Sequence, residues 1–305
     1  MALPDRAPAQ AVAPPAPAGR GIAALEPVPP VLLVITGATS IQFGAALAAT
    51  LFGDLGPAGT SLVRLGFAAV ILVALWRPRL RAYSASALRL AALFGLMLGI
   101  MNLSFYEALD RIPLGIAVTL EFAGPVTIAV ALSRRRLDLL WVALAVAGIV
   151  LLASPGGSSL DPLGLVFIAV AAIAWAAYIL VAQRAGTVFS GGSGLAIAMV
   201  VGALVPLGPG LAQAGGKLLD PGLLALGAGV ALLSSVIPYT LETEALRRVP
   251  AHVFGVLMSL EPAVAAIAGY LVLHQRLSTR DVVAIALVMA ASIGATRSRP
   301  PAIEA

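Results

Sequence analysis

The feature that most constrains this chain is a succession of long apolar runs. Ten of them occupy residues 31–52, 57–76, 88–108, 113–132, 138–154, 162–183, 193–213, 221–245, 250–273 and 279–296, with short links between. About 20 apolar residues coiled as an α-helix reach about 30 Å, the hydrocarbon thickness of a bilayer. Lipid offers backbone N–H and C=O groups no partner, so a spanning segment is a helix or part of a closed barrel. Barrel strands alternate polar and apolar residues, and these runs do not. Composition agrees, with 60% of residues hydrophobic and 11% charged, against about 25% charged in water-soluble domains. The expected fold is an all-α membrane protein of ten transmembrane helices. Pro57, Pro113, Pro162, Pro221 and Pro250 open spans, where the missing N–H would have had no helical partner. The fifth span is short, and Pro206 and Pro209 interrupt the seventh.

Residues 1–30 are rich in proline and alanine and lack apolar periodicity, so they are expected to form a disordered tail, and residues 297–305 a second, cytoplasmic tail. The run 31–52 is too long for a secretory signal, whose apolar region has about 7–15 residues. Basic residues set the orientation. One side of the expected topology holds Arg6, Arg20, Arg77, Arg79, Arg81, Arg89, Arg134, Arg135, Arg136, Arg184, Arg247, Arg248, Arg297 and Arg299. The other holds Arg111, Lys217, Arg276 and Arg280. Lysine and arginine concentrate on the cytoplasmic side, which places both termini in the cytoplasm, as an even number of spans requires. The net charge of +5 is then a topology signal, and no nucleic-acid partner is expected. Cysteine is absent and His252 and His274 lie too far apart for a zinc motif, so neither metal nor cofactor is expected.

The chain repeats itself. Glu107-Ala-Leu-Asp-Arg111-Ile-Pro113 resembles Glu244-Ala-Leu-Arg-Arg248-Val-Pro250, 137 residues later, and the same offset aligns Pro125 with Pro262. Two similar halves of five spans, 31–154 and 162–296, must face opposite ways across the bilayer because five is odd. Inverted repeats of this kind place a substrate site near the midplane between halves.

An ionised side chain at mid-span costs about 2.5–3.5 kcal/mol, so its presence points to function. Glu261 stands near the middle of the ninth span, about 16 Å from either end. Glu121 occupies the related helix of the first half, with Pro125 at i+4 to free a backbone carbonyl beside it. Arg64 lies seven residues past Pro57; it either snorkels to the interface or turns inward to meet a carboxylate. Asn102 with Tyr106, Trp175 with Tyr178, and Ser235 with Tyr239 and Glu242 share helical faces. Such apolar bodies with polar tips suit a pocket for a small zwitterion, or simple helix–helix hydrogen bonding. Glu107 with Arg111 and Glu244 with Arg248 are i,i+4 pairs, read as structural.

These residues carry a resemblance. The stretch from Pro113 through Glu121 to Pro125, and Leu257-Met-Ser-Leu-Glu261-Pro262-Ala, look like the two halves of an EamA-type member of the drug/metabolite transporter superfamily. Ser40-Ile-Gln-Phe-Gly, Arg64-Leu, Trp175-Ala-Ala-Tyr178 and Pro238-Tyr-Thr-Leu-Glu242 bring the chain nearest to the inner-membrane threonine and homoserine exporters. The resemblance implies a ten-helix inverted-repeat fold, alternating access, a bacterial inner-membrane location and export of a small zwitterionic amino acid. Glu121 or Glu261 would meet the ammonium and Arg64 the carboxylate, and a titratable glutamate could instead carry a coupled proton. The rivals are drug or dye efflux or metabolite uptake on the same fold, an intramembrane enzyme, and a structural membrane subunit. The chain offers no nucleophile–base pair or metal cluster for the enzyme, and a structural subunit would not need mid-span carboxylates.

The expected topology is directly measurable. Reporter fusions after Ala305 and within the loop at Gly156 should report opposite sides of the membrane, with Ala305 cytoplasmic. The same side for both would break the five-plus-five arrangement.

Overall fold

A computed structural model describes residues 25–131, 138–153, 160–246, 248–249 and 251–297. Among them the chain is wholly helical, without a strand. Six helices are long and apolar enough to cross a bilayer: Pro30–Ala49, Phe52–Trp76, Ala85–Leu109, Pro162–Val188, Pro221–Glu242 and Val253–Leu273. A seventh is the pair Ser193–Leu204 and Leu207–Leu219, taken as one span bent by 52°. The bend falls where Pro206 and Pro209 interrupt the seventh apolar run, because proline removes a backbone donor and crowds the preceding turn. Large apolar side chains such as Val70, Ile173 and Tyr270 point outward. The interior is lined mainly by alanine, glycine and small polar residues, the usual division of a helical bundle in lipid.

The helices are α1 (Pro30–Ala49), α2 (Phe52–Trp76), α3 (Ala85–Leu109), α4 (Leu114–Glu121), α5 (Ala123–Ala131), α6 (Asp138–Ala153) and α7 (Pro162–Val188). There follow α8 (Ser193–Leu204), α9 (Leu207–Ala214), α10 (Pro221–Ala231), α11 (Ile237–Leu246), α12 (Ala251–Met258), α13 (Glu261–Leu273) and α14 (Thr279–Arg297). Three breaks have one cause. Pro125, Pro238 and Pro262 each deny a hydrogen bond to the carbonyl four residues earlier, which belongs to Glu121, Ser234 and Met258 respectively. Helix α4 ends at Glu121 and α12 ends at Met258, while a π-helical turn, Leu232–Val236, joins α10 to α11.

Close packing depends on glycine. The Gly95 and Gly99 pair of α3 faces α8, and a Cβ on Gly95 would stand 2.2 Å from the Ala198 carbonyl oxygen. Gly115 of α4 likewise lets that helix press on Ala266 of α13. Helix α1 packs on α11 and α13, and α7 on α3, α4 and α5, so the first long helix of each half lies against the other half.

Each end of the bundle carries an ion-pair cluster. Arg248 bonds Glu244 and also donates to the carbonyls of Leu25, Glu26 and Val28, just before α1. Leu25 and Val28 pack against Leu33, Val34 and Ala245. The disordered tail expected over residues 1–30 is therefore corrected at its inner end: 25–29 are held in place, and 1–24 lie outside the described residues. At the far end of α1, Gly56 takes a φ of +69°, a conformation open to glycine, and the helix restarts beyond it. The Ala58 N–H donates to Gln213 Oε1 at 2.8 Å, Gln213 Nε2 donates to Glu107 Oε1 at 3.1 Å, and Glu107 pairs with Arg111 at 3.0 Å.

Gly95→Ala should destabilise the protein by about 1–3 kcal/mol, the usual cost of overpacking. Gly66→Ala, where no atom lies within 4 Å of the added carbon, should be neutral. Thermal unfolding in detergent compares the two, and equal stability would remove the α3–α8 crossing as a point of tight packing.

Candidate functional site

Between the helices lies a cavity of about 130 Å³, room for several waters or one small solute. Eight helices, from both ends of the sequence, add to its wall. Ile41, Gln42 and Ala45 come from α1, Arg64 from α2, Met101, Asn102 and Phe105 from α3, and Val118 and Glu121 from α4. Trp175 and Tyr178 come from α7, Tyr239 and Glu242 from α11, Met258 from α12, and Glu261 from α13.

Arg64 is the most firmly held of these. It is 4% exposed, which excludes snorkelling. Its Nη1 donates to Tyr106 Oη at 3.0 Å, its Nε to Ser235 Oγ at 3.2 Å, and its Nη2 to the Ser234 carbonyl at 2.8 Å. The guanidinium carbon also sits 5.3 Å from the centre of the Tyr106 ring, within range of a cation–π attraction. The local sequence explains the third bond. Pro238 has no N–H for the Ser234 carbonyl, so that oxygen is left to Arg64. The neighbouring Leu233 carbonyl, in the same π turn, accepts instead from Ser40 Oγ of α1 at 2.7 Å. All three partners of Arg64 are neutral, and three of its five N–H donors are used. Two remain for a ligand.

The carboxyl groups are held less completely. Gln42 Nε2 donates to Glu261 Oε2 at 3.2 Å. Glu261 Oε1 and Glu242 Oε1 are buried and have no partner. Glu121, Glu242 and Glu261 all line this one cavity, together with Arg64. A buried, unpartnered carboxyl oxygen is costly, so these atoms are where a donor on a ligand would be most stabilised. The aromatic wall is braced from behind. Phe122 meets Trp175 edge-on at 5.0 Å, and Phe94 packs on Tyr178 at 5.1 Å.

Of the residues singled out in the sequence, Glu261, Glu121, Arg64, Asn102, Trp175, Tyr178, Tyr239 and Glu242 meet at this one cavity. Tyr106 does not line it. It is fully buried one layer behind, where it positions Arg64. Glu121 and Glu261 lie on the two broken helices but not at equivalent positions: Glu121 ends the segment before its break, and Glu261 begins the segment after its own. The 137-residue offset pairs Glu121 with Met258, another wall residue. Gln42 was missed. An amide in the first span carried no charge to mark it, and only its 4% exposure and its bond to Glu261 reveal it.

Comparison with known proteins adds an independent line. The profile of the EamA-like transporter family matches residues 162–297. The threonine/homoserine exporter RhtA of Salmonella typhimurium strain LT2 is 42% identical over 271 residues, covering 88% of this chain and 91% of the relative. RhtA of Escherichia coli strain K12 gives the same identity and coverage. A solved crystal structure superposes with a TM-score of 0.58 at 17% identity, covering 87% of this chain and 96% of that one; it supports the fold alone.

Tyr106→Phe keeps the ring and deletes the acceptor of Arg64 Nη1. A hydrogen bond to a charged group contributes about 1.5–3 kcal/mol, and a loss of that size should appear as a lower melting temperature in detergent. An unchanged melting temperature would mean that Arg64 does not depend on this partner.

Proposed function

The chain belongs to the EamA-like transporter family, and we propose that it exports small amino acids of the threonine and homoserine kind across a bacterial inner membrane. It is a multi-pass membrane protein and a transporter, not an enzyme. The observation that carries the substrate reading is the pairing, on one cavity wall, of a buried arginine with spare donors and buried carboxyl oxygens without partners. An amino acid presents the complement of both. Its carboxylate can take the two unused N–H groups of Arg64 as a charge-assisted fork. Its ammonium can donate to Glu261 Oε1, with Glu242 and Glu121 alongside. A cationic dye would satisfy the carboxyls but would leave Arg64 facing a like charge, which disfavours drug efflux.

The same reading includes ten spans arranged as two inverted five-helix repeats, both termini in the cytoplasm, and alternating access by rocking of the halves. Several features support it. The 137-residue offset carries α1 onto α7, α2 onto α8 and α9, and α3 onto α10 and α11. It carries α4 and α5 onto α12 and α13, and α6 onto α14. The related ion pairs Glu107–Arg111 and Glu244–Arg248 sit at opposite ends of the bundle, as inversion requires. A proton is the proposed coupling ion. A glutamate on the cavity wall could exchange it as substrate arrives and leaves, and any of the three carboxyls has the chemistry to do so.

The test is uptake of labelled threonine and homoserine into everted vesicles, together with tolerance of a sensitive host to toxic levels of either. Both should rise with expression. Glu261→Gln keeps shape but cannot ionise. Losing a charge-assisted contact worth about 1.5–3 kcal/mol should weaken transport about ten- to hundredfold at normal membrane levels. Dye resistance without amino-acid flux would favour the efflux alternative, and full transport by the glutamine variant would remove Glu261 from the mechanism.

A further inference from the structure

Arg64 and the three glutamates answer to the charged ends of an amino acid, but the cavity wall also holds a neutral amide. We propose that Asn102 reads the side-chain hydroxyl of the substrate and so sets a preference for hydroxylated amino acids over their plain hydrocarbon counterparts. This inference rests on the export reading above and adds to it the group that distinguishes one small amino acid from another.

Asn102 is 4% exposed and lines the cavity. Its Nδ2 donates to the Leu98 carbonyl, one turn back on α3, at 2.8 Å. That bond fixes the amide plane to the helix and uses one of its two N–H donors. One N–H and the Oδ1 acceptor remain. A hydroxyl is itself both donor and acceptor, so it matches this edge in a way that a methyl group cannot. The flanking wall residues on α3, Met101 and Phe105, offer no competing acceptor.

Position supports the assignment. Asn102 precedes Tyr106 by four residues, about 6 Å along the helix, and Tyr106 is the residue that holds Nη1 of Arg64. Arg64 and Asn102 line the same small cavity, so a carboxylate on Arg64 leaves the Cβ and Cγ substituents of the amino acid in the space that Asn102 borders. Threonine and homoserine are both 2-aminobutyrate with one added hydroxyl, on Cβ and Cγ respectively. Among the other neutral wall groups, Gln42 is tied to Glu261 and the Trp175 indole can only donate. The Tyr178 and Tyr239 hydroxyls also line the cavity, and the tyrosine variants below compare them with Asn102. A site built to bond a hydroxyl rejects the analogue lacking it, because its own buried polar group is then left unpaired.

The experiment compares labelled threonine, homoserine and 2-aminobutyrate in everted vesicles carrying the full chain, wild type or variant. The wild type should move the two hydroxylated substrates at least about tenfold more efficiently than 2-aminobutyrate. Asn102→Leu and Asn102→Ala should bring the three within about twofold, by lowering the hydroxylated pair while 2-aminobutyrate holds or rises. Tyr178→Phe and Tyr239→Phe should leave the ratio intact. The inference is overturned by a wild type without preference, by a preference that survives both Asn102 variants, or by its loss in a tyrosine variant instead. Equal loss of all three substrates in both Asn102 variants, at normal membrane levels, would assign this residue to packing and overturn it as well. Absence of any amino-acid flux in the wild type would remove the export reading itself, and this inference with it.

Discussion

An arginine kept away from water must be given acceptors by the protein, and much of the interior is arranged to do so. Arg64 of α2 reaches Tyr106 of α3 and the Ser234 and Ser235 pair between α10 and α11. One side chain thus ties helices of both halves together. The backbone acceptor exists because Pro238 cannot use it. The same π turn binds Ser40 of α1, so a single sequence irregularity fixes two helices around the cavity. Since every acceptor is neutral, the guanidinium charge is solvated but not cancelled, and it remains available to an anion entering the cavity.

The breaks in α4–α5 and α12–α13 extend the same logic. A proline in each leaves one carbonyl without its helical donor, and each break lies against the cavity. The wall residues nearest these breaks are Glu121 on one side and Met258 and Glu261 on the other. The two halves use a related backbone device but place different chemistry on it. Two related breaks thus present different side chains to one cavity.

How much of this could be read from the chain alone depended on what kind of signal each feature leaves. Apolar runs mark helices because bilayer thickness sets their length, and Glu121, Glu261 and Arg64 stood out because charge is rare inside such runs. The i,i+4 spacing of Glu107 with Arg111 and of Glu244 with Arg248 announced ion pairs that do form. Depth was a different matter. Counting seven residues past Pro57 left Arg64 free to snorkel or to turn inward, and only partners on α3 and the π turn decide between these. Tyr106 shares a face with Asn102, yet periodicity cannot tell a wall residue from one standing a layer behind. Gln42 lies in the Ser40-Ile-Gln-Phe-Gly stretch, but nothing local points to its partner, 219 residues away. The inner end of the N-terminal tail was misjudged for a related reason. Its order comes from Arg248, which lies far along the chain.

Those long separations bear on how the protein is made. Ser40 waits for Leu233 and Gln42 for Glu261, separations of 193 and 219 residues. At a synthesis rate of about 5–20 residues per second, that is on the order of 10–40 s between the emergence of α1 and that of its partners. Throughout that interval the first helix has neither α11 nor α13 to pack on, and its polar groups must stay near headgroups or borrow temporary partners. The partner of residues 25–28, Arg248, emerges between those two helices, so the start of the chain is attached only after most of the protein has been made.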